Sequence, residues 1–274
     1  MEEIKITNPE KILFPEQNVT KLDVINYYIY VGNLMLPFVE NRLLSVIRCH
    51  EGINENCFYK KHPTTDKKMV KIKKVSGEEY FYIESIKQLI YQAQMGTLEF
   101  HVGASNVKKL SKPNIMVFDL DPDEKLSLQK LRSAVIKLKK LLDELGLKSF
   151  LKTSGGKGYH IVIPFSETTN WEKFYNFSEQ IALIAENKWP DIFTTNIRKN
   201  ERKNKIFVDY LRNSKSSTCV APYSLRARNK ATISMPIDWN DLNKIKPNEI
   251  TIKNYKKYLN KSWNGFFETK QKLF

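Results

Sequence analysis

The sequence predicts an α+β fold. Strand-like runs and amphipathic helical stripes are interspersed with hairpin turns, without the regular alternation of a parallel α/β sheet. Hydrophobic residues make up 41% of the chain and charged residues 27%, the composition of a folded protein and not of a disordered one. At 274 residues the chain can bury a core without disulfide staples, and no internal repeat or low-complexity linker divides it. Residues 1–274 are therefore read as one domain.

The elements follow in order. Thr20 opens a helix with Asp23 at its third position, where a carboxylate is favoured by the dipole. Leu22, Ile25, Tyr28, Ile29 and Leu36 form its apolar stripe. Leu43 to Arg48 and Asn56 to Lys61 read as short strands. Val70 to Lys74 and Tyr80 to Ile83 flank the turn pair Ser76-Gly77 and make a hairpin. Ser85 with Gln88 caps a helix that continues through Leu89 to Met95 and closes at Gly96. Asn114 to Leu120 is a β-branched and aromatic run, a buried strand that Asp121-Pro122 stops. Leu126 to Leu145 carries its leucines on one stripe and ends at Gly146. Ser149 to Thr153 and Tyr159 to Pro164 are strands joined by a glycine turn. Thr169 and Glu172 cap a helix reaching about Asn187, and Ile206 to Leu211 is a further strand. Beyond Trp239 the chain is rich in Lys and Asn, with a helical stretch at Tyr255 to Leu259.

Charge narrows the function. With 45 Lys+Arg against 30 Asp+Glu the net charge is +15, and the isoelectric point is near 9.5. Such a field favours polyanions, nucleic acid first. No stretch approaches the roughly 20 apolar residues that span a bilayer, and MEEIKITNPEKILF lacks the basic start and apolar run of a secretory signal. Three cysteines at unpatterned spacing point to reduced thiols in a cytoplasmic protein. Cys49, His50, Cys57 and His62 lie close in sequence but lack a C-x₂₋₄-C knuckle, so zinc is not expected there. Cys219 reads as a small buried hydrophobe, and Trp171 and Trp189 read as core residues.

Three carboxylates carry the first chemical signal. Asp119 and Asp121 are two apart on one strand, so both project from the same face at its C-terminal end. Carboxylates aimed together repel unless a cation lies between them, and hard divalent ions suit oxygen ligands. Two such ions about 3.5–4 Å apart serve phosphoryl and nucleotidyl transfer. An acidic strand exit with solvated side chains would produce the same short motif. Asp209 lies in the apolar run IFVDY, where an unpaired carboxylate is expensive to bury. It is either a third metal ligand or half of an ion pair with Arg212 or Arg226.

The turn Ser154-Gly155-Gly156-Lys157-Gly158 joins two strands and so is not a Walker A loop, which precedes a helix. Its glycines could let backbone amides converge on an anion, Lys157 adds a point charge, and Ser154 offers a hydroxyl. His160 follows two residues later. A glycine-rich hairpin with an incidental lysine is the simpler alternative.

VFDLDP, KTSGGKGYHIVIP and VDYLRNSKSSTCVAPYSLRARNKATISMPIDW occur in this order. Together they resemble the three motifs of the archaeo-eukaryotic primase superfamily, and in particular the polymerase domain of bacterial ligase D in a free-standing form. NPEKILFPEQNVTKLDVINYY and CFYKKHP extend the resemblance over about residues 5–240. The resemblance implies a primase-polymerase fold, with two mixed or antiparallel β-sheets flanked by helices and the active site in the cleft between them. It implies an N-terminal DNA-end-binding part (about 1–105), a catalytic part (about 106–250) and a C-terminal helical tail.

It also implies roles. Asp119, Asp121 and Asp209 match the metal-binding triad, holding two divalent ions, Mn²⁺ in preference to Mg²⁺. Ser154, Lys157 and His160 match the triphosphate motif, His101 another active-site histidine, and Arg226 a triphosphate-binding arginine. Arg202 matches an arginine of the loop that readies the site once template is engaged. Lys11 and Lys21 match lysines that grip a 5′-phosphate. Phe58 and Tyr59 stand where the family commonly has a Phe-Phe pair stacking on the template, and tyrosine keeps the π face. Asn204 replaces a frequent glycine, and asparagine tolerates left-handed backbone. The basic run Lys60, Lys61, Lys67, Lys68, Lys71, Lys73 and Lys74 then fits DNA-backbone contact as well as a solvated face.

The implied activity is template-directed addition of nucleotides (NTP or dNTP, preferentially ribonucleotides) at DNA ends in non-homologous end joining, in a prokaryotic cytoplasm at the nucleoid. The implied partners are DNA with 5′-phosphorylated ends or gaps, Ku, and a separate ATP-dependent DNA ligase, since no KxDG lysine site occurs here. Two other readings are a de novo primase of a replicative or plasmid system, and a DNA-end-bridging module whose polymerase activity is secondary.

Overall fold

Capping and turn chemistry set where most elements begin and end. The computed structural model describes residues 4–63, 67–259 and 263–273, so the first three residues of the N-terminal stretch discussed above lie outside it. β1 (Ile12–Phe14) and β2 (Val19–Thr20) form a ribbon that leads into α1 (Lys21–Val39). Thr20 accepts a bond from the Asp23 amide, and the Asp23 carboxylate accepts the Thr20 amide, a closed capping box. β3 (Arg42–Arg48) and β4 (Phe58–Lys60) follow, then the hairpin of β5 (Lys71–Val75) and β6 (Glu78–Tyr82). Ser76 and Gly77 have φ of 51° and 87°, the two positive angles that a two-residue I′ turn requires. α2 (Ile86–Gln94) is capped by Ser85 and closed by Gly96. Next come β7 (Thr97–Asn106), β8 (Ile115–Pro122), α3 (Leu128–Glu144), β9 (Phe150–Thr153), β10 (Tyr159–Pro164), α4 (Trp171–Lys188), β11 (Phe193–Thr194) and β12 (Ile206–Asp209). β13 (Thr218–Val220), β14 (Ser224–Leu225), β15 (Ile233–Ser234) and β16 (Pro236–Ile237) are short.

The chain divides into two compact units. The first comprises Met1–Lys108, Thr218–Ser234 and Ile250–Tyr255. Its main sheet is antiparallel throughout, in the order β13-β7-β3-β4, and α1 packs on α2 and on β7. Tyr27 and Tyr28 of α1 are buried, and their hydroxyls donate to the carbonyls of Tyr223 and Leu98 at 2.6 and 2.5 Å. Two large rings are thereby removed from water with no orphaned hydroxyl.

The second unit comprises Lys109–Ser217, Met235–Glu249 and Lys256–Phe274. Its six-stranded sheet has the order β11-β12-β8-β10-β9-β16, with β11 and β12 parallel and every other pair antiparallel. All residues of β9 and β10 are buried, which is why YHIVIP reads as a run and does not alternate.

Several expectations change. β7 is a strand without a sequence signature: its first five residues are all buried, so the period-2 signal is missing. β8 continues through Asp121-Pro122, with Pro122 as its last paired residue. Asn170, not Thr169, caps α4 by accepting the Lys173 amide. The stretch at 255–258 is a single 3₁₀ turn. Cys219 is half-buried, not core. The cysteines are not all reduced: Cys49 and Cys57 form a disulfide, their Cα atoms brought to 4.4 Å by the connection from β3 to β4. That bond also removes both sulfurs from any zinc site. No described helix is long and apolar enough to cross a membrane.

Candidate active site

Register in the second unit places a row of charged groups across four strands. Asp209 of β12 pairs with Asp119 of β8, Asp119 with His160 of β10, and His160 with Lys152 of β9. Directly opposed residues share a face, and Asp121, two along from Asp119, joins them. The row therefore reads carboxylate, carboxylate, imidazole, ammonium. Its nitrogen-bearing members are the most buried: Lys152 is 1% and His160 3% exposed, whereas the Asp121 side chain is 47% exposed.

Burial, then the charges of Asp209 and Asp121, push the Asp119 carboxyl up to about 7, against the pull of Arg212 and Lys152. Each aspartate has a nitrogen donor beside it. His160 Nε2 lies 3.4 Å from Asp119 Oδ1. Arg212 Nε lies 3.1 Å from Asp209 Oδ2, and the Leu211 amide donates to Asp209 Oδ1. Arg212 is thus the ion-pair partner of Asp209, and Arg226 pairs elsewhere. Arg202 Nη1 lies 3.7 Å from Asp121 Oδ2, with its guanidinium over the Phe207 ring and bonded to the carbonyls of Asn196 and Ile197. Asn204 adopts φ 58°, so the left-handed turn that asparagine tolerates is present in that loop.

As the side chains stand, no three His, Cys, Asp or Glu residues among those described surround a common ion position. The donor set nevertheless suits a hard divalent cation. It is all carboxylate oxygen on one face, and the mutual repulsion that raises Asp119 is what such an ion relieves.

The glycine turn differs from expectation. Its amides do not converge on an open anion site: Ser154 Oγ accepts the Gly156 and Gly158 amides, and the Gly155 amide donates to the Pro247 carbonyl. Gly158 passes so close to β8 that a Cβ there would sit 2.0 Å from the Leu120 carbonyl oxygen. The turn is a rigid support for its side chains. Lys157 pairs with Glu124 at an exposed position.

In the first unit, His101 and Arg226 meet at Glu99, which the sequence reading did not single out. A carboxylate two residues from a histidine in an apolar run, and hence on its face, was the available signal. Lys11 and Lys21 lie close enough that Lys11, after burial, lowers the Lys21 ammonium. Lys11 Nζ is 2.7 Å from Glu51, and Lys21 Nζ donates to the Thr7 carbonyl at 2.7 Å. Phe58 and Tyr59 are 44% and 68% exposed, unusual for adjacent aromatic side chains. They line a pocket of about 540 Å³ together with Ser45, Arg48, His50 and Lys60.

A family model described as the LigD primase-polymerase domain matches residues 20–266. The chain belongs to that family. The multifunctional non-homologous end joining protein LigD of Pseudomonas aeruginosa is 32% identical over 247 residues, covering 88% of this chain and 29% of that protein. The bifunctional non-homologous end joining protein LigD of Bacillus subtilis is 32% identical over 241 residues, covering 87% and 39%. A solved structure of the polymerase domain from Mycobacterium tuberculosis ligase D in complex with DNA matches with a TM-score of 0.85 and 28% identity, covering 92% of this chain and 93% of that one. The chain spans well under half the length of these two curated relatives. Its α+β architecture of antiparallel sheets and helices is that of the LigD polymerase domain, and its enzyme class is DNA-directed nucleotidyltransferase. The relatives fit the end-joining reading and do not support the de novo primase or bridging-module readings.

Proposed function

We propose that this chain extends primers by one or a few nucleotides, ribonucleotides ahead of deoxyribonucleotides, copying a template at 5′-phosphorylated DNA ends during double-strand break repair. The observation that carries the reading is the register that lines up Asp209, Asp119 and His160 with Asp121 on the same face. Asp119, Asp121 and Asp209 would hold the divalent ions, Mn²⁺ before Mg²⁺. When bound, such ions lower the pKa of a primer 3′-hydroxyl and offset triphosphate charge. His160, 3.4 Å from Asp119, orients that carboxylate, and the buried Lys152 charge favours its ionised form.

Ser154, Lys157, His160, His101 and Arg226 receive the triphosphate, with Lys157 leaving Glu124 to do so. Arg202 releases Asp121 as template engages. Lys11 and Lys21 grip the 5′-phosphate, Lys11 exchanging Glu51 for it. Phe58 and Tyr59 stack on the template at the break, and the lysine run from 60 to 74 follows its backbone. The whole of residues 1–274 acts as one primase-polymerase domain, a reading supported by a family match that reaches into both units. Ku and an ATP-dependent DNA ligase are the proposed partners, at the nucleoid.

A gapped duplex with a recessed 3′ end tests this, with Mn²⁺ and each nucleotide in turn. The expected result is incorporation of the template-complementary nucleotide, NTP over dNTP, stimulated by a 5′-phosphate across the gap. No incorporation, or incorporation blind to the template, would contradict it.

A further inference from the structure

Glu99 belongs to none of the motifs that point to the polymerase reaction. It lies in β7 two residues before His101, with its side chain only 4% exposed, and three donors converge on it. His101 Nε2 and Arg226 Nε both lie 2.9 Å from Oε2, and the Ala227 amide donates to Oε1 at 2.8 Å. Burial by itself would raise this carboxyl, but His101, Arg226 and the Ala227 amide reverse that and hold it below its ordinary value. An ionised carboxylate only accepts, so the hydrogen of the His101 ring facing it resides on Nε2. One anion thereby joins a histidine in the middle of a strand to an arginine in a segment 127 residues further along the chain than Glu99 itself.

We propose that Glu99 is a positioning residue that holds His101 and Arg226 as one oriented pair for the triphosphate of the incoming nucleotide. The inference rests on the triphosphate roles proposed above for those two side chains. Its physical content is that a guanidinium and an imidazole recognise phosphate oxygens through direction as well as charge. A shared carboxylate fixes both directions before substrate arrives, so less order is lost on binding. Lys11 and Lys21 bond instead to Glu51 and to the Thr7 carbonyl, so affinity for a 5′-phosphorylated end serves as the control that the proposal expects to hold.

Glu99→Gln and Glu99→Asp test the role against simple structural pairing. At metal sites, losing the hydrogen-bond partner that orients a ligand-holding side chain changes affinity or activity by about 10–100-fold, and the same scale is expected here. Glu99→Gln is accordingly expected to raise the KM for the nucleotide at least about tenfold, while affinity for a 5′-phosphorylated DNA end stays within about twofold of the parent. Glu99→Asp, which keeps the charge, is expected to recover part of the loss. Added to His101→Ala/Arg226→Ala, Glu99→Gln should have little further effect, since residues acting through one another are not additive. An unchanged nucleotide KM, an equal loss of DNA and nucleotide affinity, or full additivity would overturn the proposal.

Should Glu99→Gln not fold, nitrogen NMR of the parent histidines still decides. The expected signal is a hydrogen on His101 Nε2, and a ring protonated at Nδ1 alone overturns the inference. A parent that incorporates normally beside an unaffected Glu99→Gln refutes only the role of Glu99, whereas an inactive parent overturns the polymerase reading and this inference with it.

Discussion

Lys11 cannot hold Glu51 and a 5′-phosphate with the same ammonium geometry. The pair is partly exposed, 27% and 66%, so solvent screens it and a phosphate can displace it. Glu51→Gln is therefore expected to tighten binding of 5′-phosphorylated ends by about two- to fivefold and leave ends without phosphate unchanged, as read by fluorescence anisotropy. Asp119 gives a prediction in pH. Its folded-state value of about 7 lies above the ordinary 3.8, so the folded chain holds this proton more tightly than the unfolded one. Stability from this group is full at low pH and declines as pH rises from about 4 to about 7. A divalent ion bound by the carboxylates would remove that penalty, so Mn²⁺ should raise the melting temperature more at pH 8 than at pH 5. An equal rise at both would contradict it. At this scale the aspartates and the glycine-turn lysine were legible, because residue type and i, i+2 spacing carry them. Glu99 was not, because its meaning comes from Arg226, which only folding brings to it.

Gly158 shows how an element depends on one missing carbon. Any Cβ there meets the Leu120 carbonyl at 2.0 Å, and that carbonyl belongs to the strand holding Asp119 and Asp121. Gly158→Ala should therefore push β8 and β10 apart at the aspartate end, destabilising by about 3 kcal/mol. Thermal melting checks the stability loss, and a melting temperature equal to that of the parent would show the strands can yield. Local rules identified the hairpin turn at Ser76-Gly77, the helix start at Thr20 and the Gly96 and Gly146 helix ends, since each is written in nearby residues. They did not identify β7, whose buried first half has no alternation, nor the partnership of Asp209 with Asp119, which is a matter of strand register. The Cys49–Cys57 bond was missed for the same reason: spacing says nothing until the β3 to β4 connection folds back.

The net charge of +15 acts at the scale of the molecule. The logarithm of duplex affinity should fall linearly with the logarithm of salt concentration, by roughly 0.9 in slope for each phosphate contacted. Replacing Lys11 and Lys21 together by alanine should flatten that slope by about two units on 5′-phosphorylated ends, and an unaltered slope would remove both from the contact set. The central claim remains that the carboxylates lined up on β8 and β12 carry out nucleotidyl transfer. The direct measurement is the single-turnover rate of nucleotide incorporation by Asp209→Asn with Mn²⁺ on a gapped duplex, beside its DNA-end affinity. Loss of a metal-holding group worth several kcal/mol predicts a rate lower by about 100-fold or more with affinity within about twofold of the parent. Incorporation at the parental rate by a folded Asp209→Asn protein would contradict the account.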